Sequence, residues 1–289
     1  MIPPPFEYLR PSTIPEAIRL LQQHGDEAKI LSGGQSLIPM MKLRIARPAY
    51  LVDINRIAGL SYVKEEAGFL KIGGLTREAE LEASPLVHSK YPILLDTAHV
   101  IADPQVRNLA TVAGNLAHGD PANDHPATML ALGAQIVATG TRGERVIPIE
   151  EFFVTLFSTA LQQGEILTEI RIPVPPAHGG GAYFKLERKV GDFATAAVAA
   201  QVTLDASGVV QRAGIGLTNV GPIPIKAKTA EDFLRGRKLD GAAIAKAAQL
   251  AADASQPSSD LRGPAEYKKG LVKELAKRAL SRAAERAAK

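Results

Sequence analysis

In the first part of the chain, apolar residues recur at helical spacing in one stretch and form short runs typical of strands in two others, which predicts one helix and two strands. Thr13 and Glu16 form the pattern of a capping box, and a helix is predicted from there to Gly25. The apolar residues on its buried face are Ile14, Ala17, Ile18 and Leu21. Residues 29–31 and 49–54 are short apolar runs and are predicted to be strands, which gives a β-α-β unit of about 55 residues.

Short elements of both kinds follow up to about residue 174, and they predict a second, mixed sheet with helices packed on it. The stretch Glu65-Glu66-Ala67-Gly68 has the composition of a hairpin turn between short strands. Helices are predicted at 76–81, 91–101 and 126–132, and further strands at 135–139 and 165–174. Residues 103–126 show no regular period and are predicted to be the least regular segment.

A run rich in proline and glycine at residues 173–181 is predicted to be a linker. We place a domain boundary near residue 177, so that residues 1–177 form one domain, with lobes of about 1–57 and 58–177, and residues 178–289 form another. The later domain is predicted to hold a three-stranded antiparallel sheet and helices, with strands at 182–189, 194–204 and 209–217 and helices at 229–234, 241–254 and 267–287. The fold class is therefore α+β.

Composition and net charge exclude several classes of function. Apolar residues make up 46% and charged residues 22%, as in ordinary globular proteins, and no apolar run suggests a signal peptide or a membrane span, so the cytoplasm is expected. The chain has no cysteine, which excludes disulfides and thiolate-bound zinc or iron–sulfur clusters on it. The net charge of +4 comes from residues 268–289, which carry +6 and leave −2 for the remainder. Nucleic-acid binding is not expected, because it needs a basic face.

Two loops of small and polar residues, Ser32–Ser36 and Thr111–Asn115, have the composition of an anion site. Backbone N–H groups in a glycine-rich turn can surround phosphate oxygens. Each loop alone is more often a plain tight turn, and neither matches the G-x-G-x-x-G or P-loop fingerprint. No helical pattern follows the first loop. If both loops bind one ligand, Gly34→Val and Gly114→Val should abolish its binding, whereas Gly25→Ala should weaken only a helix end.

Two further hypotheses concern the roles of acidic and histidine side chains. His118, Asp120, Asp124 and His125 lie within eight residues and could hold a metal, although their spacing is not that of a helical metal site; solvated loop residues and a helix start at Asp124 are the alternative. Asp53 could bind a ribose after its strand, as in nicotinamide proteins, or belong to a strand-ending turn.

Three stretches together resemble one known family: LSGGQSLIPMMKLRIARPAYLVDINRI, IGGLTREAEL and RNLATVAGNLAHGDPANDHPATMLALGA. The chain resembles the FAD-binding medium subunit of molybdenum hydroxylases, the carbon monoxide dehydrogenase and xanthine dehydrogenase family. The resemblance covers the whole chain, including KLERKVGDFATAAVAA after the linker. It implies a two-lobed FAD-binding domain of the vanillyl-alcohol-oxidase type, followed by a C-terminal domain like that of the carbon monoxide dehydrogenase flavoprotein.

The resemblance also implies a site in which the flavin pyrophosphate lies between the two loops. The residues carried over from the family are Leu31, Ser32, Gly33, Gly34, Gln35, Ser36, Leu37, Ile101, Thr111, Val112, Ala113, Gly114, Asn115, Asp124, Leu167, Lys185 and Asp192. Relatives often have histidine where this chain has Gln35, and an amide can still donate to phosphate.

By this resemblance the chain is an FAD-carrying, electron-transferring oxidoreductase subunit with no catalytic acid or base and no metal of its own. Its implied partners are a small subunit with 2Fe-2S clusters and a large subunit with the molybdopterin cofactor, assembled as a dimer of heterotrimers. The substrate and the final acceptor, NAD, quinone or oxygen, stay open. Two alternatives are a stand-alone flavin oxidoreductase, which would need its own acid or base, and a non-redox binding or assembly protein on the same fold.

Overall fold

The computed structural model describes residues 1–288 and begins with a small parallel sheet. The elements of this first lobe are β1 (Glu7–Leu9), α1 (Ile14–His24), a 3₁₀ turn (Gly25–Glu27), β2 (Ala28–Leu31), α2 (Leu37–Lys42) and β3 (Tyr50–Asp53). The strands lie in the order β1-β3-β2 and all pair in parallel. The sequence did not predict β1 and α2, because three and six residues are too few to show a period.

Helix α1 has the predicted cap with one difference. Thr13 is the N-cap, and its hydroxyl accepts a hydrogen bond from the Glu16 N–H at 3.3 Å. The Glu16 carboxylate reaches one residue further back, to the N–H of Ser12 at 2.8 Å. Gly25 ends the helix with φ of +55°, and a Cβ there would lie 3.0 Å from Gln163 Nε2. Gly25→Ala would therefore strain the backbone at this helix end, and its predicted effect on the helix end alone stays a prediction.

The second lobe is built on a five-stranded sheet. Its strands are β4 (Val63–Glu66), β5 (Phe69–Gly73), β6 (Gln135–Gly140), β7 (Gly143–Pro148) and β10 (Ile166–Pro173), and β8 (Phe153–Thr155) and β9 (Ser158–Thr159) form a separate hairpin. The order is β4-β5-β10-β6-β7, and each neighbouring pair is antiparallel. The prediction of a mixed sheet was therefore wrong, and the hairpin turn at residues 65–68 is confirmed.

Seven short helices pack around this sheet: α3 (Glu78–Ala83), α4 (Pro85–Lys90), α5 (Pro92–His99), α6 (Pro104–Arg107), α7 (Val112–His118), α8 (His125–Leu132) and α9 (Ile149–Phe152). The segment predicted to be least regular contains α6 and α7. Their side-chain caps, Asp103 and Thr111, were visible in the sequence, but helices of four and seven residues do not show a period. Helix α8 is buried on every side.

The C-terminal part forms a four-stranded antiparallel sheet with three helices: β11 (Gly179–Leu186), β12 (Ala196–Leu204), β13 (Val210–Thr218), β14 (Ile225–Lys226), α10 (Lys228–Leu234), α11 (Gly241–Ala254) and α12 (Ala265–Ala287). The three predicted strands are present, and β14 adds two residues. The predicted linker was wrong at its end, since Gly179, Gly180 and Gly181 belong to β11. A Cβ at Gly180 would lie 2.1 Å from Ala283 O, so this glycine permits close packing of α12.

The C-terminal sheet lies between α12 and α8, which explains why β12 is apolar on both faces. Ala196, Val198 and Ala200 belong to the core shared with α11 and α12, whereas Ala197 and Ala199 belong to the core shared with α8. Both parts of the chain therefore contribute to one large core next to the cleft described below. No helix within residues 1–288 is long and apolar enough to cross a membrane.

Candidate functional site

A cleft of about 950 Å³ lies where the two lobes and the C-terminal sheet meet. The end of β2 and the loop after it form one wall, and the start of α7 faces that loop. Residues of β10 and β11 complete the remaining side. This volume is at the upper end of the range for cofactor sites.

The two predicted loops meet in this cleft, although they are far apart in sequence. The hydroxyl oxygens of Ser32 and Thr111 are 3.0 Å apart and share a hydrogen bond. Gly33 lies directly against the start of the second loop and the two residues before it, because a Cβ there would be 2.6 Å from Leu109 O, 2.8 Å from Ala110 Cα and 3.0 Å from Thr111 N. Gly34 has φ of +74°. The adjacent glycines thus have different roles: Gly33 allows contact between the loops, and Gly34 allows the turn.

The first loop presents free backbone donors. Gly33, Gly34, Gln35 and Ser36 line the cleft, and none of residues 1–288 accepts a hydrogen bond from their N–H groups. The Gln35 side chain only makes a long 3.4 Å bond to the Gly33 carbonyl. Successive N–H groups without partners are the donors that can surround phosphate oxygens.

The second loop has little space and one unpaired polar atom. Thr111 caps α7 by accepting from the Gly114 N–H at 3.1 Å, and a Cβ at Gly114 would lie 2.5 Å from the Thr111 hydroxyl. The Asn115 side-chain oxygen is buried without a hydrogen-bond partner among the described residues, although the Asn115 carbonyl accepts from Asn123 at 2.8 Å. A buried atom of this kind needs a partner that the described chain does not supply.

Asp124 is the centre of a buried polar group between α8 and β11. Its two oxygens accept hydrogen bonds from the Tyr183 hydroxyl at 2.6 Å and from Lys185 Nζ at 3.0 Å. Lys185 also donates to Val100 O at 3.0 Å and lies 3.2 Å from Glu187. Burial raises the pKa of Asp124 above its ordinary value, while the Lys185 charge opposes that shift. The ion pair joins the C-terminal sheet to the cleft.

Asp192 lies at the edge of the cleft between two arginines. Its carboxylate is 2.9 Å from Arg188 Nε and 3.3 Å from Arg262 Nη2. Burial raises the pKa of Asp192, but the bonds from Arg188 and the Phe193 N–H outweigh it, so the pKa lies below its ordinary value. The carboxylate is thus held as an anion near the cleft entrance.

The other predicted residues divide into two groups. Ile101 and Leu167 line the cleft, and so do Leu37 and all the remaining predicted residues except two. Leu31 and Val112 do not line it. Val112 lies in the core and its N–H donates to Thr76 O at 3.1 Å, and Leu31 is the last residue of β2.

The structure gives other partners to the side chains considered for a metal. His125 is fully buried and pairs with Glu78 at 2.7 Å, and the His118 ring is 5.2 Å from the Phe157 ring. Burial lowers the pKa of His118, against the charge of Asp120. Within residues 1–288 no three such side chains are grouped for a metal. Asp53 is the last residue of β3 and accepts hydrogen bonds from Asn55 in the turn that follows, as the interpretation of a strand-ending turn predicts.

Sequence reasoning missed several residues of the cleft. His118, Asn123 and Phe157 line it, as do Gly74 and Gln163. The pair Gly73-Gly74 could have been noticed: a Cβ at Gly74 would lie 2.5 Å from Leu167 O, so this glycine lets a neighbouring strand approach. Phe157 and Gln163 lie in a hairpin and a turn whose positions depend on the tertiary fold.

This fold and its cleft define a flavin-binding protein with a separate C-terminal domain, and comparisons with known proteins identify its family. Residues 4–175 match the FAD binding domain in molybdopterin dehydrogenase, and residues 181–283 match the CO dehydrogenase flavoprotein C-terminal domain. The chain therefore belongs to the family of FAD-binding medium subunits of molybdopterin dehydrogenases.

Similar proteins cover nearly the whole chain. It is 44% identical to the carbon monoxide dehydrogenase medium chain of Hydrogenophaga pseudoflava, with 98% of each chain covered. It is 45% identical to the medium chain of Afipia carboxidovorans, with 99% of each chain covered. Among solved structures, the reconstituted CO dehydrogenase from Oligotropha carboxidovorans gives a TM-score of 0.96 at 45% identity, covering 99% of this chain and 100% of that one. Quinoline 2-oxidoreductase from Pseudomonas putida 86 gives 0.92 at 32% identity, covering 99% of each chain.

Proposed function

We propose that the chain is the FAD-carrying electron-transfer subunit of a molybdenum-containing hydroxylase or dehydrogenase. It takes electrons from a 2Fe-2S partner subunit and passes them to an external acceptor. The observation that carries the proposal is the meeting of the two glycine loops in one cleft, which is lined by residues whose backbone N–H groups have no partner in the described chain. FAD, when bound, supplies the capacity to accept and release one or two electrons, and the protein supplies position and electrostatics.

The residues present fit FAD. Residues 32–36 and 111–115 would hold the pyrophosphate, since the first loop offers four free N–H groups and the second offers small residues beside a shared hydroxyl pair. The unpaired Asn115 oxygen would accept a hydrogen bond from a hydroxyl or N–H group of FAD, since the pyrophosphate itself cannot donate. Ile101 and Leu167 would pack against its apolar surface. Leu31 and Val112 are left out of the proposed site.

Three charged residues of the site would control its electrostatics. Asp124 and Lys185 form a buried ion pair that fixes the C-terminal wall of the cleft, and Asp192 holds a negative charge near its entrance. In the described part of the chain no histidine or tyrosine pair is arranged across the cleft as a catalytic acid and base. We therefore assign this chain no catalytic residue and place substrate chemistry on another subunit.

The absence of cysteine from the sequence supports the assignment of partners. Iron–sulfur clusters are held by thiolates, so a one-electron donor to the flavin must be another chain. We propose a small 2Fe-2S subunit and a large molybdopterin subunit as partners, assembled as a dimer of heterotrimers in the cytoplasm. Residues 1–177, with lobes of about 1–57 and 58–177, and residues 178–289 are proposed as the two domains of the subunit. Relatives named as medium chains support an assembly of several subunits.

The test is a visible absorption spectrum of the purified chain, followed by identification of the released cofactor after denaturation. Flavin bands and FAD in nearly equal ratio to protein are the expected result. A colourless chain that also takes up no added FAD would contradict the proposal. Turnover of a small substrate of its own by the purified chain, without partner subunits, would instead favour a stand-alone flavin oxidoreductase.

A further inference from the structure

A chain of hydrogen bonds lies behind the two glycine loops and connects them. Asn55 Nδ2 donates to the Ser32 carbonyl at 2.8 Å, and Asn55 Oδ1 accepts from Arg77 Nη2 at 2.6 Å. Arg77 Nη1 donates in turn to the carbonyl of Leu109, two residues before the second loop. Neither Asn55 nor Arg77 lines the cleft, and their contacts with the loops are made to backbone carbonyls.

The orientation of Asn55 is determined by its neighbours. An arginine can only donate, so the amide oxygen of Asn55 must face Arg77 and the amide nitrogen must face Ser32. The same nitrogen donates to Asp53 Oδ1 at 2.7 Å, and the Asn55 backbone N–H donates to that oxygen at 2.9 Å. The Tyr8 hydroxyl donates to the second oxygen of Asp53. The carboxylate is thereby fixed and holds the amide in place.

Arg77 is held equally firmly relative to the second loop. The residues on either side of it pair with the backbone there: Glu78 N–H donates to Ala110 O at 2.9 Å, and Val112 N–H donates to Thr76 O at 3.1 Å. Arg77 is also half-buried. Its guanidinium therefore spans a short, well-defined gap between the second loop and Asn55.

We propose that Asn55 and Arg77 are positioning residues for the phosphates of the cofactor, an inference that rests on the proposed function. In a trans peptide the C=O and the next N–H point in opposite directions. Because Asn55 holds the Ser32 carbonyl on the rear side, the Gly33 N–H is directed into the cleft. Arg77 keeps the second loop at a set distance from the first through Leu109, so both loops meet the same ligand.

A purely electrostatic role for Arg77 is the alternative, and it predicts a different result. Burial lowers the pKa of Arg77, while the carboxylates of Glu80 and Asp53 oppose that change. If the positive charge alone mattered, lysine at position 77 would replace arginine fully. A lysine has one ammonium group and no fork, so it cannot satisfy Asn55 and Leu109 in the same geometry.

The experiment measures FAD affinity and urea unfolding of the full-length chain for Asn55→Leu, Arg77→Met, both together, and Arg77→Lys. Each single change should weaken FAD binding at least about tenfold, because it removes the hydrogen bond between Asn55 and Arg77 and lets one of the two loops move out of position. The double variant should be little weaker than the worse single variant, because the two residues act in one chain. Arg77→Lys should recover only part of the affinity.

The matched control is Arg171→Met. Arg171 is another partly buried arginine, it pairs with the Glu169 carboxylate, and it does not line the cleft. It should leave FAD affinity within about twofold. Unchanged affinity in both single variants, additive losses, or full recovery by Arg77→Lys would overturn the inference while the wild type still binds FAD. A wild-type chain that takes up no FAD would overturn the proposed function as well. If Arg77→Met does not fold, Arg77→Lys provides the test.

Discussion

Replacing Gly33 by alanine tests the contact between the two loops directly. Gly33 does not have a positive φ, so alanine can adopt its backbone conformation and the effect comes from the added methyl group alone. That carbon would lie 2.6 Å from Leu109 O and 2.8 Å from Ala110 Cα, both of which are backbone atoms. Since carbon–oxygen contacts are normally no shorter than about 3.3 Å, the loops must separate by roughly 0.7 Å.

The size of the effect follows from this displacement. Overpacking of this kind costs about 1 to 3 kcal/mol of folding free energy. The Ser32–Thr111 hydrogen bond of 3.0 Å would lengthen beyond hydrogen-bonding distance, which costs about 1 kcal/mol more. Misplacing the N–H groups of the first loop should weaken FAD binding roughly 10- to 100-fold, as expected for the loss of one charge-assisted hydrogen bond.

The assay is the flavin-to-protein ratio after reconstitution, together with FAD titration and urea unfolding of the FAD-free chain. The control is Gly270→Ala, at an exposed position of α12 where a Cβ meets nothing within 4 Å. It should stabilise the chain by about 0.5 to 1 kcal/mol and leave FAD binding unchanged. If Gly33→Ala binds FAD as tightly as the wild type with unchanged stability, the contact between the loops does not define the site.

Three further predictions concern the buried polar groups beside the cleft and the end of helix α12. Asp124→Ala removes one of the two carboxylates beside the buried Lys185 and leaves Glu187 at 3.2 Å, so urea unfolding should show a loss of up to about 3 kcal/mol, most of it recovered when Lys185→Met is added. Burial, followed by the Asp124 charge, raises the pKa of the Tyr183 hydroxyl. The contribution of this group to the free energy of unfolding is therefore present below about pH 10 and is lost as the pH rises further. Tyr183→Phe should make the loss of stability at alkaline pH less steep, as measured by urea unfolding. Arg286→Met breaks a two-pronged pair with Asp96 and should cost about 1 kcal/mol in urea unfolding.

Specific results would contradict each of these. Equal stability of Asp124→Ala and the wild type would mean that Glu187 alone compensates the Lys185 charge. An alkaline decline that is as steep in Tyr183→Phe would assign it to other groups. Arg282→Met is the control for Arg286→Met, because its pair with Glu285 is exposed; equal losses in the two variants would remove the special role of the Asp96 contact.

The sequence predicted those parts of the fold that depend on local signals. The cap at Thr13 and the apolar runs of β12 and β13 needed no tertiary information. The loops were found because small and polar residues occurred together twice, and the family resemblance joined them. Helix α2 was missed because its six residues are too few to show a period and include a proline and one exposed apolar side chain, Ile38.

Other features depend on contacts between distant residues and could not be read from local patterns. Gly179 to Gly181 have the composition of a linker, yet they form a strand because α12 packs closely against Gly180. Asn55 and Arg77 are 22 residues apart, and nothing in their own sequence contexts shows that both meet the backbone of a glycine loop. The wall made by Lys185 and Asp124 likewise exists only once the C-terminal sheet is in place.

The burial of α8 has a consequence for synthesis of the protein on the ribosome. A Cβ at Gly214 or Gly216 would lie 2.0 Å from the carbonyl of Ala131 or Ala127, so β13 covers this helix backbone to backbone. The covering strand ends at Thr218, 86 residues after Leu132, and at about 5 to 20 residues per second the ribosome needs roughly 4 to 17 s to reach it. During that interval the apolar helix has emerged without its cover. The nascent chain therefore passes through a stage in which a chaperone has a defined hydrophobic target.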